Sequence, residues 1–123
     1  MDLNALREVC NIAQPDKHLS KRWFTSQAAD LFIWHNGDRF SHFEFCYDKH
    51  INEHSIRWNT EYGFCHFRID DGEGDALSYK KSPMHVEAGD VNINHVFKEF
   101  DDLSIDLEPA IREFILKQFL AII

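Results

Sequence analysis

The sequence has little of what several protein classes require. Its 3 cysteines form no CxxC pair, so a disulfide framework is not expected, and free thiols in a reducing cytosol fit better. It contains no apolar run of about 18 residues, the length that a membrane-spanning helix needs. The first eight residues show neither the basic nor the apolar region of a signal peptide. These absences predict a cytoplasmic protein that has no membrane partner.

Positive charge is also scarce. Lysine and arginine number 13 against 21 acidic residues, which gives a formal net charge of -8. The basic residues cluster only as the pairs Lys21-Arg22 and Lys80-Lys81. Because an acidic surface repels phosphate backbones, we predict that the protein does not bind nucleic acid.

Apolar and aromatic residues are plentiful, at 44% and 14% of 123 residues. A chain of this length suits one domain, which we predict to span residues 1–123. Such a domain buries roughly two thirds of the surface that its unfolded chain exposes. We therefore expect it to fold without a metal ion or another cofactor.

Between residues 21 and 71, large apolar side chains alternate with polar ones, as in strands that have one buried face. We predict an antiparallel meander of four or five strands, at residues 22–26, 31–35, 39–48, 54–60 and 63–71. The two hairpins should each keep their large apolar side chains on one side of the sheet, because register follows this pattern.

In the first hairpin, the turn at 36–38 contains Asn-Gly, which favours a two-residue turn. That turn predicts that Phe32 and Trp34 share the core face with Phe43 and Phe45. In the second hairpin, an even-length loop is expected. It would set Trp58 opposite Cys65 and Ile56 opposite Phe67.

Three segments have helical spacing of apolar residues. Residues 2–13 predict a short helix that Pro15 ends. Asp90 is expected to cap a second helix, and Asp106 a third with Pro109 in its first turn. Packing of the last two on the aromatic sheet face predicts an α+β fold, a two-layer sandwich with helices on one face.

The sequence gives only weak support to three kinds of site: a calcium loop, a zinc site and a cysteine nucleophile with a histidine base. The acidic loop at 70–75 lacks the residue order of an EF-hand, so a solvated turn is the simpler interpretation. His42, Cys46 and His66 lack the short spacing of zinc ligands. Cys46 with His66 as base has no nucleophile elbow beside it. We predict no catalytic residue, no metal ligand and no cofactor.

The most specific candidate is a row of polar side chains on the face opposite the core. The expected register aligns Glu44, Arg57 and His66 across three strands, with His42 and Arg68 beside them. Arginine offers a fork of donors, and a neighbouring carboxylate holds it in position. These five residues therefore predict a site for a small anionic or zwitterionic ligand. The alternative is cross-strand ion pairing on a solvated face, which stabilises little.

Four segments carry a resemblance to a known family. They are Phe-Glu-Phe-Cys-Tyr-Asp-Lys at 43–49, Ile-Arg-Trp at 56–58, Gly-Phe-Cys-His at 63–66 and Ile-Asp-Asp-Gly-Glu at 69–73. Over roughly the middle quarter of the chain, they resemble the central block of an uncharacterised bacterial family of small cytosolic proteins. The resemblance implies a bacterial, soluble, single-domain protein, and it attaches no activity, cofactor or site.

Two functional classes remain open. The first is a small soluble interaction or ligand-binding module. In that class a homodimer or another protein partner is an option, because Leu116 and Leu120 lie off the apolar stripe of the last helix. The alternative is a small enzyme or metal-dependent protein that uses the polar face with Glu44, Arg57 and His66.

Overall fold

The computed structural model describes residues 5–14, 17–49, 53–68 and 92–123. Within these ranges the chain forms a 6-stranded antiparallel sheet in which each strand pairs with the next, followed by two helices. The strands are β1 (Arg7–Val9), β2 (Ser20–Thr25), β3 (Asp30–Asn36), β4 (Arg39–Tyr47), β5 (His54–Asn59) and β6 (Gly63–Arg68), and the helices are α1 (Ile93–Leu103) and α2 (Pro109–Leu120). The predicted α+β meander with helices on one face is confirmed.

The core lies between the helices and one face of the sheet. Aromatic rings meet edge to face across this boundary: Phe45 contacts Phe100 of α1 with ring centres 5.4 Å apart, and Phe43 contacts Phe119 of α2 at 6.1 Å. All four rings are fully buried. Burial of a phenylalanine side chain contributes about 1.5–3 kcal/mol, so this layer dominates the stability of the fold.

The predicted helix at 2–13 is wrong where the structure describes it, because residues 7–9 form the edge strand β1. Tertiary contacts override the local helical pattern here. The guanidinium of Arg22 donates to both carboxylate oxygens of Glu8, at 2.8 and 2.7 Å, and this contact lowers the pKa of Glu8. The Leu6 N–H also donates to the Leu103 carbonyl at 2.9 Å, which ties the edge strand to the end of α1.

The helix ends differ from the prediction. Asn92 caps α1 by accepting from the His95 N–H at 3.1 Å, whereas Asp90 lies outside the described residues. Glu108 rather than Asp106 occupies the cap position of α2, with no side-chain capping bond. Glu108 instead pairs with Arg22 of β2, so the start of α2 is held by an ion pair to the sheet.

The first hairpin contains a bulge that reverses the predicted face of two aromatic residues. Its turn pairs Asn36 with Arg39, as a two-residue turn requires, but the register shifts between Trp34 and His35. One extra residue in a strand moves every later side chain to the other face. Trp34 therefore pairs with His42, and both Trp34 and Phe32 face away from the helices. Leu31 and Ile33 occupy the core in their place and are fully buried.

The second hairpin has an odd loop where an even one was predicted. The Asn59 side chain accepts from the N–H groups of Glu61 and Tyr62 at 2.8 and 2.7 Å, and Asn59 pairs directly with Gly63. Gly63 has a φ of +76°, which glycine adopts without a steric cost. Trp58 consequently pairs with Phe64, not with Cys65, and the described side chains of β6, those of Phe64, Cys65 and His66, lie on the opposite face from the one predicted.

Among the described residues, no helix is long and apolar enough to cross a membrane. The acidic loop at 70–75, the rest of the strand predicted at 63–71 beyond Arg68 and the basic pair Lys80-Lys81 lie outside those residues.

Candidate functional site

The face of the sheet opposite the helices carries a groove of about 590 Å³. It lies over strands β2 to β5 and the loop at 60–62. Side chains that define its character are Lys21, Phe32, Trp34, His42, Glu44 and Arg57. Apolar rings beside convergent polar groups are typical of small-molecule sites.

An ion pair forms the polar centre of the groove. Glu44 and Arg57 are directly paired across β4 and β5, and Arg57 Nε lies 3.2 Å from Glu44 Oε1. The other carboxylate oxygen accepts a hydrogen bond from Ser55 Oγ at 2.5 Å. The Glu44 side chain is only 14% exposed, against 42% for Arg57, so the carboxylate holds the more accessible guanidinium in position.

Aromatic rings line the other half of the groove. Across β2 and β3, the ring centres of Trp23 and Phe32 are 5.8 Å apart, and Phe32 and Trp34 are 6.3 Å apart. Trp34 stacks on the imidazole of His42 at 4.3 Å. The Lys21 ammonium lies 5.0 Å from the centre of Phe32 and 5.5 Å from that of Trp34, within cation–π range.

The structure brings together three of the five predicted ligand-binding residues. His42, Glu44 and Arg57 line the groove, and the predicted pairing of Glu44 with Arg57 is confirmed. His66 does not join them, because the odd loop turns it to the helix side of the sheet. There His66 Nε2 is 2.8 Å from the Tyr47 hydroxyl. The backbone of Arg68 pairs with His54, and its side chain lies outside the described part of the chain.

Cys65, not His66, completes the row that begins with Glu44 and Arg57. The prediction of an even-length loop placed His66 on the wrong face, and it also placed Cys65 on the core face. The same kind of error hid the aromatic half of the groove, since Phe32 and Trp34 were predicted to face the helices. The alternation of β3 alone could not reveal it, because both faces of that strand carry large apolar side chains.

The structure does not bring Cys46 and His66 together, so it supports neither the nucleophile–base pair nor the zinc site considered from the sequence. Cys46 faces the groove side beside Glu44, with its Sγ 3.8 Å from Oε2, whereas His66 faces the helices. Burial, reinforced by the Glu44 charge, raises the pKa of the Cys46 thiol to about 12. A thiol that keeps its proton at neutral pH is a poor nucleophile and a poor metal ligand. Neither the Cys46–His66 pair nor a zinc site built on it is assembled.

The chain matches no protein-family model, no curated protein and no solved structure. Its function is therefore inferred from the geometry of the groove. Aromatic rings that share a groove with two cationic side chains can stack a planar ring and attract an anionic group attached to it.

Proposed function

We propose that the protein is a non-enzymatic ligand-binding module, and that its groove takes a small planar ligand with an anionic or zwitterionic substituent. The observation that carries the proposal is the row of aromatic rings on the solvent-facing side of the sheet. In keeping with the resemblance of its central segments, we take its setting to be the bacterial cytosol.

The aromatic row argues for a ligand because the fold does not need it for its core. Phe32 and Trp34 lie on the face opposite α1 and α2, and each keeps part of its surface exposed. Contiguous apolar surface that remains exposed on a folded domain usually marks a binding site. Flat rings also suit a ring-shaped ligand, since offset stacking is favourable beyond simple burial.

The charges argue for an anionic substituent on that ligand. The Glu44 carboxylate pairs with Arg57 and accepts hydrogen bonds from Ser55 and from the Cys46 thiol, so its charge is offset within the groove. Lys21 adds a positive charge directly above the rings. A carboxylate or phosphate on a stacked ring would lie between these two cations, although the chain as a whole is acidic.

The same contacts favour binding over catalysis. The Cys46 thiol beside the ion pair stays protonated, as its pKa of about 12 requires. The Glu44 carboxylate is already engaged by Arg57 and Ser55. The arrangement supports orientation of a ligand and supplies no activated nucleophile.

A matched set of probes tests the proposal by isothermal titration calorimetry. The probes are 1-naphthoate, 1-naphthalenemethanol and 1-naphthylmethylamine, which share one ring system and differ in charge. We expect 1-naphthoate to bind most tightly. Trp34→Ala should weaken all three probes, whereas Lys21→Met should weaken only 1-naphthoate, by about fivefold, because a partly exposed charge pair contributes up to about 1 kcal/mol.

Arg39→Gln is the matched control, because Arg39 is an exposed cation at the turn after β3, and it should leave every affinity unchanged. Equal affinity for the three probes would refute the anionic part of the proposal. Absence of binding by all three, in a protein whose circular dichroism shows it folded, would refute a planar ligand.

A further inference from the structure

A second group of polar side chains lies on the helix side of the sheet, at the opposite end of β4 from the turn at 37–38. Asp48 directly follows the last residue of β4, and His95 and Glu99 lie on α1. Residues four apart on a helix project from the same face, so the imidazole and the carboxylate of α1 point the same way. That face is turned toward the end of β4.

The three side chains converge closely enough to share one ion. Each offers one ligand atom, and these atoms lie within 4.8 Å of one another. His95 Nε2 is 3.4 and 3.3 Å from the two carboxylate oxygens of Asp48. Asp48 has a φ of 54°, a left-handed conformation that aspartate tolerates better than most residues.

One neighbouring ring, that of Tyr47, contacts the histidine. The edge of Tyr47 contacts the His95 imidazole with ring centres 6.1 Å apart. The same tyrosine stacks on His54 at 5.9 Å, and its hydroxyl is 2.8 Å from His66 Nε2. Groups that hold a ligating imidazole in one orientation raise the metal affinity of a site.

We propose that Asp48, His95 and Glu99 form a binding site for a divalent transition-metal ion of the zinc class. One imidazole nitrogen and two carboxylate oxygens suit Zn²⁺ or Co²⁺ better than Mg²⁺ or Ca²⁺, which prefer oxygen ligands alone. Two carboxylates also balance the charge of the ion. Three protein ligands leave at least one coordination position for water or another ligand.

The site would join the two layers of the fold, because one ligand follows β4 and two belong to α1. An ion that binds only the folded protein stabilises it by mass action. We expect the aromatic core to suffice for folding without metal, so the ion should add stability and not be a condition for folding. The sequence does not predict this site, since Asp48 and His95 are 47 residues apart.

The test titrates Zn²⁺ by calorimetry and Co²⁺ by visible absorption into the full chain carrying Cys10→Ser. That change removes the exposed thiol of Cys10, because a free thiol is itself a zinc ligand and would complicate the titration. We expect one ion per chain, visible Co²⁺ bands of a low-coordinate nitrogen–oxygen site and a higher melting temperature with Zn²⁺. His95→Gln and Glu99→Gln should each weaken Zn²⁺ binding by on the order of tenfold or more, because even second-shell changes at metal sites have effects of that size.

Asp102→Asn is the matched control, since it removes one exposed negative charge from the same helix. His35→Gln removes a histidine from the other end of the sheet, where its Nδ1 contacts the Gly37 carbonyl. Both controls should bind Zn²⁺ like the parent. If the parent binds no Zn²⁺, or if His95→Gln and Asp102→Asn have equal effects, the cluster is only an ion pair and the proposal fails.

Discussion

The rings of Trp34 and His42 stack across β3 and β4 with their centres 4.3 Å apart. This contact exists because of the bulge between Trp34 and His35, which moves Trp34 from the helix side of the sheet to the groove. The bulge therefore decides which aromatic side chains form the core and which remain available to a ligand.

Paired truncations on the two faces test that division. Phe43→Ala should lower the free energy of unfolding by about 3–5 kcal/mol, because the fully buried ring leaves a cavity between β4 and α2. Phe32→Ala should lower it by about 1 kcal/mol or less, because the ring is already partly in water. Urea denaturation measures both values. Equal losses would mean that Phe32 belongs to the core.

The burial of the Glu44–Arg57 ion pair predicts how substitution of Arg57 changes stability. Arg57→Met should destabilise the protein by about 1–2 kcal/mol, since it leaves a largely buried carboxylate without the cation that pairs with it. The double variant Glu44→Gln, Arg57→Met should regain most of that loss, because no unpaired charge remains. A double-mutant cycle by urea denaturation gives the coupling. Purely additive effects would show that the pair lies in solvent.

Much of the fold follows from the sequence. Alternation gives the strands of the meander from β2 to β6, and helical spacing gives α1 and α2. The pairing of Glu44 with Arg57 also follows, because Phe43, Phe45, Ile56 and Trp58 must all face one side. Strict alternation along a whole strand indicates which of its side chains share a face.

The features that the sequence does not predict include the faces of a few side chains, and each of these depends on one inserted residue. One bulged residue reversed Phe32 and Trp34, and one extra loop residue reversed His66, because side chains change face with every residue along a strand. The three-residue strand β1 depends on contacts with Arg22 and Leu103, which are distant in sequence. The bulge alone therefore hid the aromatic half of the groove, and the longer loop gave the wrong face for His66.

The raised pKa of the Cys46 thiol predicts a loss of stability at alkaline pH. Its thiol pKa is raised from a usual value of 9.0 to about 12, so the unfolded chain releases this proton before the folded protein does. The free energy of unfolding should therefore fall as the pH rises from about 9 toward 12. Burial also raises the pKa of the Tyr47 hydroxyl and adds to the loss at higher pH. Urea melts across this range should show a shallower decline in Cys46→Val than in the parent.

Thiol alkylation provides an independent check on Cys46. At pH 8, iodoacetamide should modify the exposed Cys10 quickly and Cys46 slowly, with Cys46 becoming reactive only after denaturation. Peptide mass spectrometry separates the two sites. Rapid modification of Cys46 in the folded protein would contradict both its burial and its raised pKa.

Self-association remains a prediction that rests on α2 and the residues after it. Leu120 is 59% exposed and Ile123 is 55% exposed, so both present apolar surface that an isologous dimer would cover. Light scattering should show a dimer whose population falls in Leu120→Lys. Glu113→Lys, an exposed position on the same helix, should leave the association unchanged. A parent protein that stays monomeric at high concentration would refute the prediction.

The central claim is that the ligand-binding surface lies on the sheet face opposite the helices. Its most direct test is a ¹H–¹⁵N NMR titration with 1-naphthoate that follows the indole N–H signals of the 3 tryptophans. Trp34 should shift most, because its ring belongs to the aromatic row of the groove. Trp58 also borders the groove, but it should shift less, because its ring packs against Phe43 and Phe114 on the helix side. Shifts concentrated on Trp58 and on the amides of α1 and α2, with Trp34 unmoved, would contradict the account.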